Sequence, residues 1–181
     1  MHNKPTIYYF INNFNAYEIK NLNKNISLIY RNYNDPPNIK VINDIKKICS
    51  SQKRSFYISN NFKIAKKLKL DGVYIPSFIN LLNYKNLSIQ RKFKIIGSAH
   101  NKVELLNKTK QGCSEVFISP IFKTKKYNSF LDICKFNLIS NSTDLKVIAL
   151  GGINSSSYCK LNSVMCSGFA SISWIKKTGL I

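Results

Sequence analysis

Residues Val147-Ile148-Ala149-Leu150 are apolar at four successive positions, with none of the alternation of a strand that has one wet face. A run of this kind suits a strand covered on both sides, and a parallel sheet flanked by helices is the arrangement that covers both sides. The pattern recurs along the chain. β-type segments read Thr6 to Ile11, Ile26 to Arg31, Ser55 to Ile58, Gly72 to Ile75, Lys94 to Ser98, Glu115 to Ile121, Lys146 to Leu150 and Phe169 to Ser173. Helical patterns lie between them: Ile39, Ile42, Ile45 and Ile48 repeat every third residue, and Val103, Leu105 and Leu106 open a helix for which Gly112 is the stop.

Eight such strands alternating with about eight helices specify an α/β fold, a compact (β/α)8 barrel, with an open doubly wound sheet as the competitor. No Pro/Ser-rich linker divides the chain, so residues 1–181 read as a single domain. Barrels typically run to about 250 residues. Loops must therefore be minimal, and the C-terminal helix after Trp174 is shortened to barely two turns.

Composition narrows the class. The 44% hydrophobic residues are a globular value, and no stretch approaches the ~20 apolar residues of a membrane span. No apolar segment follows Met1-His2-Asn3-Lys4-Pro5, so no secretory signal is read, and the expected location is cytoplasmic. Five cysteines without a C-x-x-C pair fit free thiols rather than disulfides or zinc. Lys plus Arg number 28 against 8 Asp plus Glu, a net charge of +20. The lysines are spread along the whole chain with only short clusters, such as Lys123 to Lys126, which argues against a dedicated nucleic-acid surface. Positive potential that gathers anionic substrates is the narrower inference.

Function in a parallel barrel sits at the C-terminal tips of the strands. Two tips are informative. Gly151-Gly152 after the seventh strand lets backbone N–H groups approach an anion, and Ser171 and Ser173 lie where the eighth strand runs into its turn; together they read as a phosphate site. His100, two residues after Ser98 at the fifth tip, is placed for proton transfer near neutral pH. Arg31 ends an apolar strand and is too costly to bury unpaired, so it faces the site and meets an anion. Thr124, among Lys123, Lys125 and Lys126, is placed to close over a phosphate or diphosphate. The eight carboxylates supply no pair at a strand tip, so no metal ligands are assigned, and Asp35 is only the nearest candidate. No Gly-x-Ser-x-Gly elbow supports a serine hydrolase.

At these residues the chain resembles the thiamine phosphate synthase/TenI family, nearly end to end from the second strand. Glu115-Val116-Phe117-Ile118-Ser119-Pro120-Ile121-Phe122-Lys123-Thr124 is similar to the family's D-Y-v-x-x-x-P-i-F-x-T, and Val147 to Ile153 to its p-V-i-A-i-G-G-I. Gly168 to Ser173 matches G-x-A-x-i-S, Leu70 to Tyr74 resembles g-A-D-G-V-H, and Ile96 to His100 resembles the S-x-H strand. The resemblance implies a TIM barrel acting on a phosphorylated thiazole. The synthase branch joins that thiazole to hydroxymethylpyrimidine diphosphate with Mg2+ assistance. The TenI branch aromatises a thiazole carboxylate phosphate tautomer by proton transfer, with no cofactor.

Carried over by motif, Gly151, Gly152 and Ser173 would hold the thiazole phosphate, Arg31 the pyrimidine-side phosphate, and Thr124 the loop covering the diphosphate. The departures cluster on the pyrimidine side. Ser59-Asn60 replaces an Asn-Asp pair, Ser77 falls in the stretch where an acidic residue is usual, and Tyr33 replaces a Lys. Both metal carboxylates implied by the family are thus absent. His100 and the Ile75-Pro76-Ser77 stretch resemble the TenI branch. The expectation is accordingly a TenI-like enzyme with His100 as acid/base; the alternatives are a synthase, for which Mg2+ is implied, and a non-catalytic phosphate-binding homologue. The expected partner is the small thiazole phosphate, with neither nucleic acid nor membrane, and a homodimer is compatible.

Overall fold

Thr6–Ile11 pairs in parallel with both Ile26–Tyr30 and Gly168–Ala170, and this double pairing closes the sheet on itself. The computed structural model describes residues 5–33, 35–80, 92–125 and 128–179. In chain order the strands are β1 (Thr6–Ile11), β2 (Ile26–Tyr30), β3 (Phe56–Ser59), β4 (Gly72–Ile75), β5 (Lys94–Ala99), β6 (Glu115–Ile118), β7 (Lys146–Leu150) and β8 (Gly168–Ala170). Each pairs in parallel with the next, giving a closed eight-stranded barrel. The helices among the described residues are α1 (Ala16–Lys20), α2 (Ile39–Ser51), α3 (Phe62–Lys67), α4 (Lys102–Lys110), α5 (Asp132–Ser140) and α6 (Ser173–Thr178), with a 3₁₀ segment at Tyr158–Ser163. The chain is a (β/α)8 barrel, and the open doubly wound sheet is excluded.

Side-chain parity explains the apolar runs. On β1, Tyr8 and Phe10 fill the interior with Ile29, Tyr57, Tyr74, Ile96, Phe117, Ile148 and Ala170. The intervening Tyr9 and Ile11 face outward into a second cluster with Ile19, Ile42, Ile45 and Cys49. A strand buried on both faces leaves a polar residue room only where it finds a partner inside the barrel.

The departures from the sequence reading have local causes. The sixth strand stops at Ile118 because Ser119 and Pro120 turn away, and the amides of Ile121 and Phe122 donate to Leu150 and Gly151 on the β7 side. The eighth strand ends at Ala170, since Ser173 already belongs to α6. Of the apolar residues that open α4 only Leu105 is buried, while Val103 and Leu106 are exposed. Gly112 follows this helix at φ 78°, as its stop requires. Most of the connection between β4 and β5 lies outside the described residues, as does Lys126. No helix among the described residues is long and apolar enough to cross a membrane.

The N-terminal end of the barrel is closed by polar groups that answer one another. The buried Glu115 carboxylate accepts from the Tyr8 hydroxyl at 2.7 Å and from Lys94 Nζ at 2.7 Å, with Lys146 Nζ at 3.8 Å. Lys146 Nζ donates to Thr6 Oγ1 at 2.8 Å. Beneath β2 and β3, the buried Arg54 guanidinium binds the carbonyls of Leu22, Asn23 and Ile26 and the side chain of Gln52.

Candidate active site at the C-terminal end of the barrel

The floor is aromatic. Phe10, Tyr74 and Phe117 meet edge to face around a triangle, with centroids 5.2, 5.2 and 5.9 Å apart. Such contacts lock three large rings at the barrel axis. Above them the Tyr74 hydroxyl and Ser98 Oγ share a hydrogen bond of 2.9 Å, and both residues are buried. Ser98 is thus a fixed polar point in the floor. Burial raises the Tyr74 phenol well above its ordinary pKa.

His100 follows β5 and is exposed, but its ring is held. Nδ1 lies 2.7 Å from the Ser119 carbonyl and 3.3 Å from Ser119 Oγ. A carbonyl only accepts, so Nδ1 carries the hydrogen and the neutral ring keeps its lone pair on Nε2. The backbone is pinned as well: the His100 amide donates to Glu104, and Asn101 and Glu104 form reciprocal bonds at the start of α4.

Gly151 and Gly152 follow β7 at φ 96° and 72°. A Cβ on Gly151 would come within 2.7 Å of Pro120, and one on Gly152 within 2.6 Å of the carbonyl oxygens of Phe122 and Lys123. The glycines are therefore demanded by the close approach of the loop after β6, whatever binds there. Among the described residues nothing accepts from the N–H of Gly151 or Gly152. Two successive positive-φ glycines with open donors are a backbone nest of the kind that suits an anion. The same packing brings the loop that carries Thr124, which is half-buried, against the nest.

Ser171 has a different place from the one read in the sequence. Its buried hydroxyl donates to the Ile153 carbonyl at 2.8 Å, so its single proton is committed to bracing the β7 loop against β8. Ser173, the first residue of α6, is exposed and available at this edge.

Arg31 follows β2, half-buried, with Nε donating to Asn12 Oδ1 at 3.2 Å and the guanidinium 5.1 Å from the Phe10 ring centroid. It faces the mouth, as expected of a charge that cannot enter the core. Beside it Tyr33 and Phe78 meet edge to face at 5.6 Å, and Ser59 Oγ donates to the Tyr33 hydroxyl at 3.5 Å. Burial raises the Tyr33 phenol, against opposing effects of Ser59 and Arg31. Asn60 is exposed at φ 49°, and Ser77 is half-buried in the turn after β4.

The residues at this edge do not fit a carboxylate-held Mg2+. Among the described residues no three His, Cys, Asp or Glu side chains gather around a point that could hold a metal. Ser59, Asn60 and Ser77 offer only neutral oxygens, Asp35 is engaged by Asn32, and Glu104 caps α4.

Three groups were missed in the sequence as parts of the site: Ser119, which sets the His100 tautomer, and the Tyr33–Phe78 pair. The Ser-Pro step after β6 and the aromatic two residues beyond Arg31 were the available signals.

The family model for thiamine monophosphate synthase (TMP-TENI) matches residues 22–175. The chain belongs to this family. A thiamine-phosphate synthase of Prochlorococcus marinus is 34% identical over 155 residues, covering 79% of this chain and 43% of the relative. One of Pelagibacter ubique is 34% identical over 124 residues, covering 65% and 58%. The chain thus spans about half the length of these curated relatives. Among solved structures, a thiamine phosphate pyrophosphorylase from Pyrococcus furiosus superimposes with a TM-score of 0.78 over 98% of this chain and 93% of that one, at 16% identity. Another from Bacteroides thetaiotaomicron gives 0.65 over 96% and 85%, at 19% identity. At such identities the structures speak for the fold.

Proposed function

We propose that the chain is a transferase of the thiamine-phosphate synthase type, joining hydroxymethylpyrimidine diphosphate to a thiazole phosphate with release of diphosphate. The observation that supports it best is the similarity to relatives named thiamine-phosphate synthases, one across 79% of the chain. The sequence motifs alone put the tautomerase branch first; the relatives reverse that order. In this reading the Gly151 and Gly152 amides and Ser173 hold the thiazole phosphate, with Thr124 in the covering loop. Ser98 lies in the floor between the two substrates, and Ser171 braces the nest from behind. Arg31, a permanent cation, opposes the charge that grows on the departing diphosphate. Ser59, Asn60 and Ser77 surround the pyrimidine with neutral hydrogen-bonding groups. Mg2+ is implied by the family, but no carboxylate of this site is assigned to it.

The purified protein is incubated with both substrates, with and without Mg2+, and thiamine phosphate is sought by mass spectrometry. Its formation is the expected result. Absence of product under both conditions, with thiazole phosphate still bound, would overturn the synthase reading.

One observation favours a second reading, in which the site moves protons on a thiazole phosphate tautomer. The Ser119 carbonyl holds the His100 ring in the tautomer whose Nε2 can act as a base. His100→Ala should then slow aromatisation by about 10²–10⁴-fold, with ligand binding intact. Binding with neither reaction would leave a non-catalytic phosphate-binding homologue.

A further inference from the structure

Lys108 is a lysine of α4, yet it is fully buried. Its stem leaves α4 and passes Gly97 of β5, where an added Cβ would come within 2.7 Å of Lys108 Cδ. Nζ then donates to the carbonyl of Pro76 at 2.7 Å, the carbonyl of Ile79 at 2.9 Å and Gln111 Oε1 at 3.0 Å. All three ammonium protons are used, and no carboxylate is among the acceptors. Gln111, also fully buried, adds a second donor to the Ile79 carbonyl at 2.8 Å. An ammonium taken out of water is costly unless its hydrogen bonds are remade, and an apolar side chain would fill the same volume without that cost. What an apolar side chain could not do is draw two backbone carbonyls to one point.

Those carbonyls bracket the turn Pro76-Ser77-Phe78-Ile79, which is closed by the Ile79 amide donating to the Pro76 carbonyl at 3.2 Å. The turn presents Ser77 and Phe78 at the mouth, and Phe78 meets Tyr33, whose hydroxyl accepts from Ser59. The rims after β2, β3 and β4 are thereby joined into one piece, anchored from behind. We infer that Lys108, with Gln111, is a positioning residue of the active site, fixing the Pro76–Ile79 turn and so the shape of the pyrimidine-side rim. The pyrimidine assignment of that rim rests on the proposed function; the clamp itself does not. Burial lowers the Lys108 pKa from the usual lysine value, with Cys113 and Glu104 opposing, in keeping with an ammonium held by neutral oxygens.

The test compares the wild type with Lys108→Met by amide hydrogen exchange and by calorimetric titration with thiazole phosphate and with hydroxymethylpyrimidine diphosphate. The expected result is at least tenfold faster exchange at Ile79 and at least tenfold weaker pyrimidine diphosphate binding, with thiazole phosphate affinity within twofold. Unchanged protection at Ile79, or equal weakening of both ligands, would overturn the proposal, because a merely structural lysine would affect both sides alike. Should Lys108→Met fail to fold, Gln111→Met removes one of the two donors to Ile79 and one of the three acceptors of Lys108 while keeping the ammonium on Pro76 and Ile79, and should give the same pattern. If the wild type binds no pyrimidine diphosphate, the functional assignment of the rim falls, while exchange at Ile79 still decides the clamp.

Discussion

The same two strands serve opposite purposes at the two ends of the barrel. At their N-terminal ends, β5 and β6 carry Lys94 and Glu115, which neutralise each other and satisfy Tyr8. At the other end, the residues that follow them are His100, exposed and tethered through Nδ1, and Ser119, which tethers it. The lower end binds its own polar groups, down to the Arg54 fork on three carbonyls, although Arg54 Nε is buried without a partner. The upper end leaves donors open at Gly151 and Gly152 and two rings exposed at Tyr33 and Phe78. Within one sheet, the polar residues at one end are spent largely on partners inside the chain, and those at the other end are left largely open.

Glu115→Ala breaks the lower end with the largest effect. Removing one member of a buried ion pair costs about 3–5 kcal/mol. The side chains of Lys94 and Lys146 are 46% and 38% exposed and can rehydrate, which places this case at the lower limit. The buried Tyr8 hydroxyl would still lose its acceptor. A drop of about 3 kcal/mol in urea unfolding is expected, with thiazole phosphate affinity unchanged in the folded protein. A drop below about 1 kcal/mol would mean that the polar cluster is a passenger in the barrel and not its closure.

Arg31→Met is the counterpart at the upper end. Its guanidinium is half-exposed and linked within the chain to the exposed Asn12, so stability should change by less than about 0.5 kcal/mol. Losing a charged partner of a phosphate should weaken pyrimidine diphosphate about tenfold, or about 1.4 kcal/mol. Titration of wild type and variant measures it. Equal affinities would remove Arg31 from the site.

What could be read from the sequence divides along similar lines. The barrel is legible because burial on both faces makes strand after strand largely apolar, as at Val147 to Leu150. The tips are legible because strand ends are, so His100, Arg31 and the glycine pair fall where they were expected. Partnerships across distant segments are not legible. Ser171 reads as a ligand donor until the Ile153 carbonyl is seen to take its proton. Helix faces are weakly marked in a lysine-rich chain: in α4 the charged Lys108 is buried while the apolar Val103 and Leu106 are exposed. The pyrimidine-side rim suffers most, since Tyr33 and Phe78 meet only after the barrel has brought the β2 and β4 tips together.

An effect absent at neutral pH and visible only in alkali comes from the tyrosines that span the two ends inside the barrel. Tyr8 bonds Glu115 below and Tyr74 bonds Ser98 above. Burial raises both phenols far above their ordinary value, and it pushes Tyr57 up to about 12. A phenol whose pKa is higher in the folded than in the unfolded chain contributes stability that is complete below pH about 10. That contribution is lost as pH rises toward the folded value, because the unfolded chain releases the proton first. Each unit of pH above about 10 should remove about 1.4 kcal/mol per buried phenol. Tyr8, Tyr57 and Tyr74 should ionise only as the barrel opens. Tyrosinate absorbance and circular dichroism followed together from pH 8 to 13 would show this as a late absorbance step coincident with loss of ellipticity. Tyr74→Phe and Tyr8→Phe should each soften that step. Tyr8→Phe leaves the buried Glu115 carboxylate one donor short, whereas Tyr74→Phe leaves only the neutral Ser98 hydroxyl without its partner, so Tyr8→Phe should lower stability at pH 7 the more. An equal loss from Tyr74→Phe would show that the bond to Ser98 braces the upper end as firmly as Glu115 braces the lower.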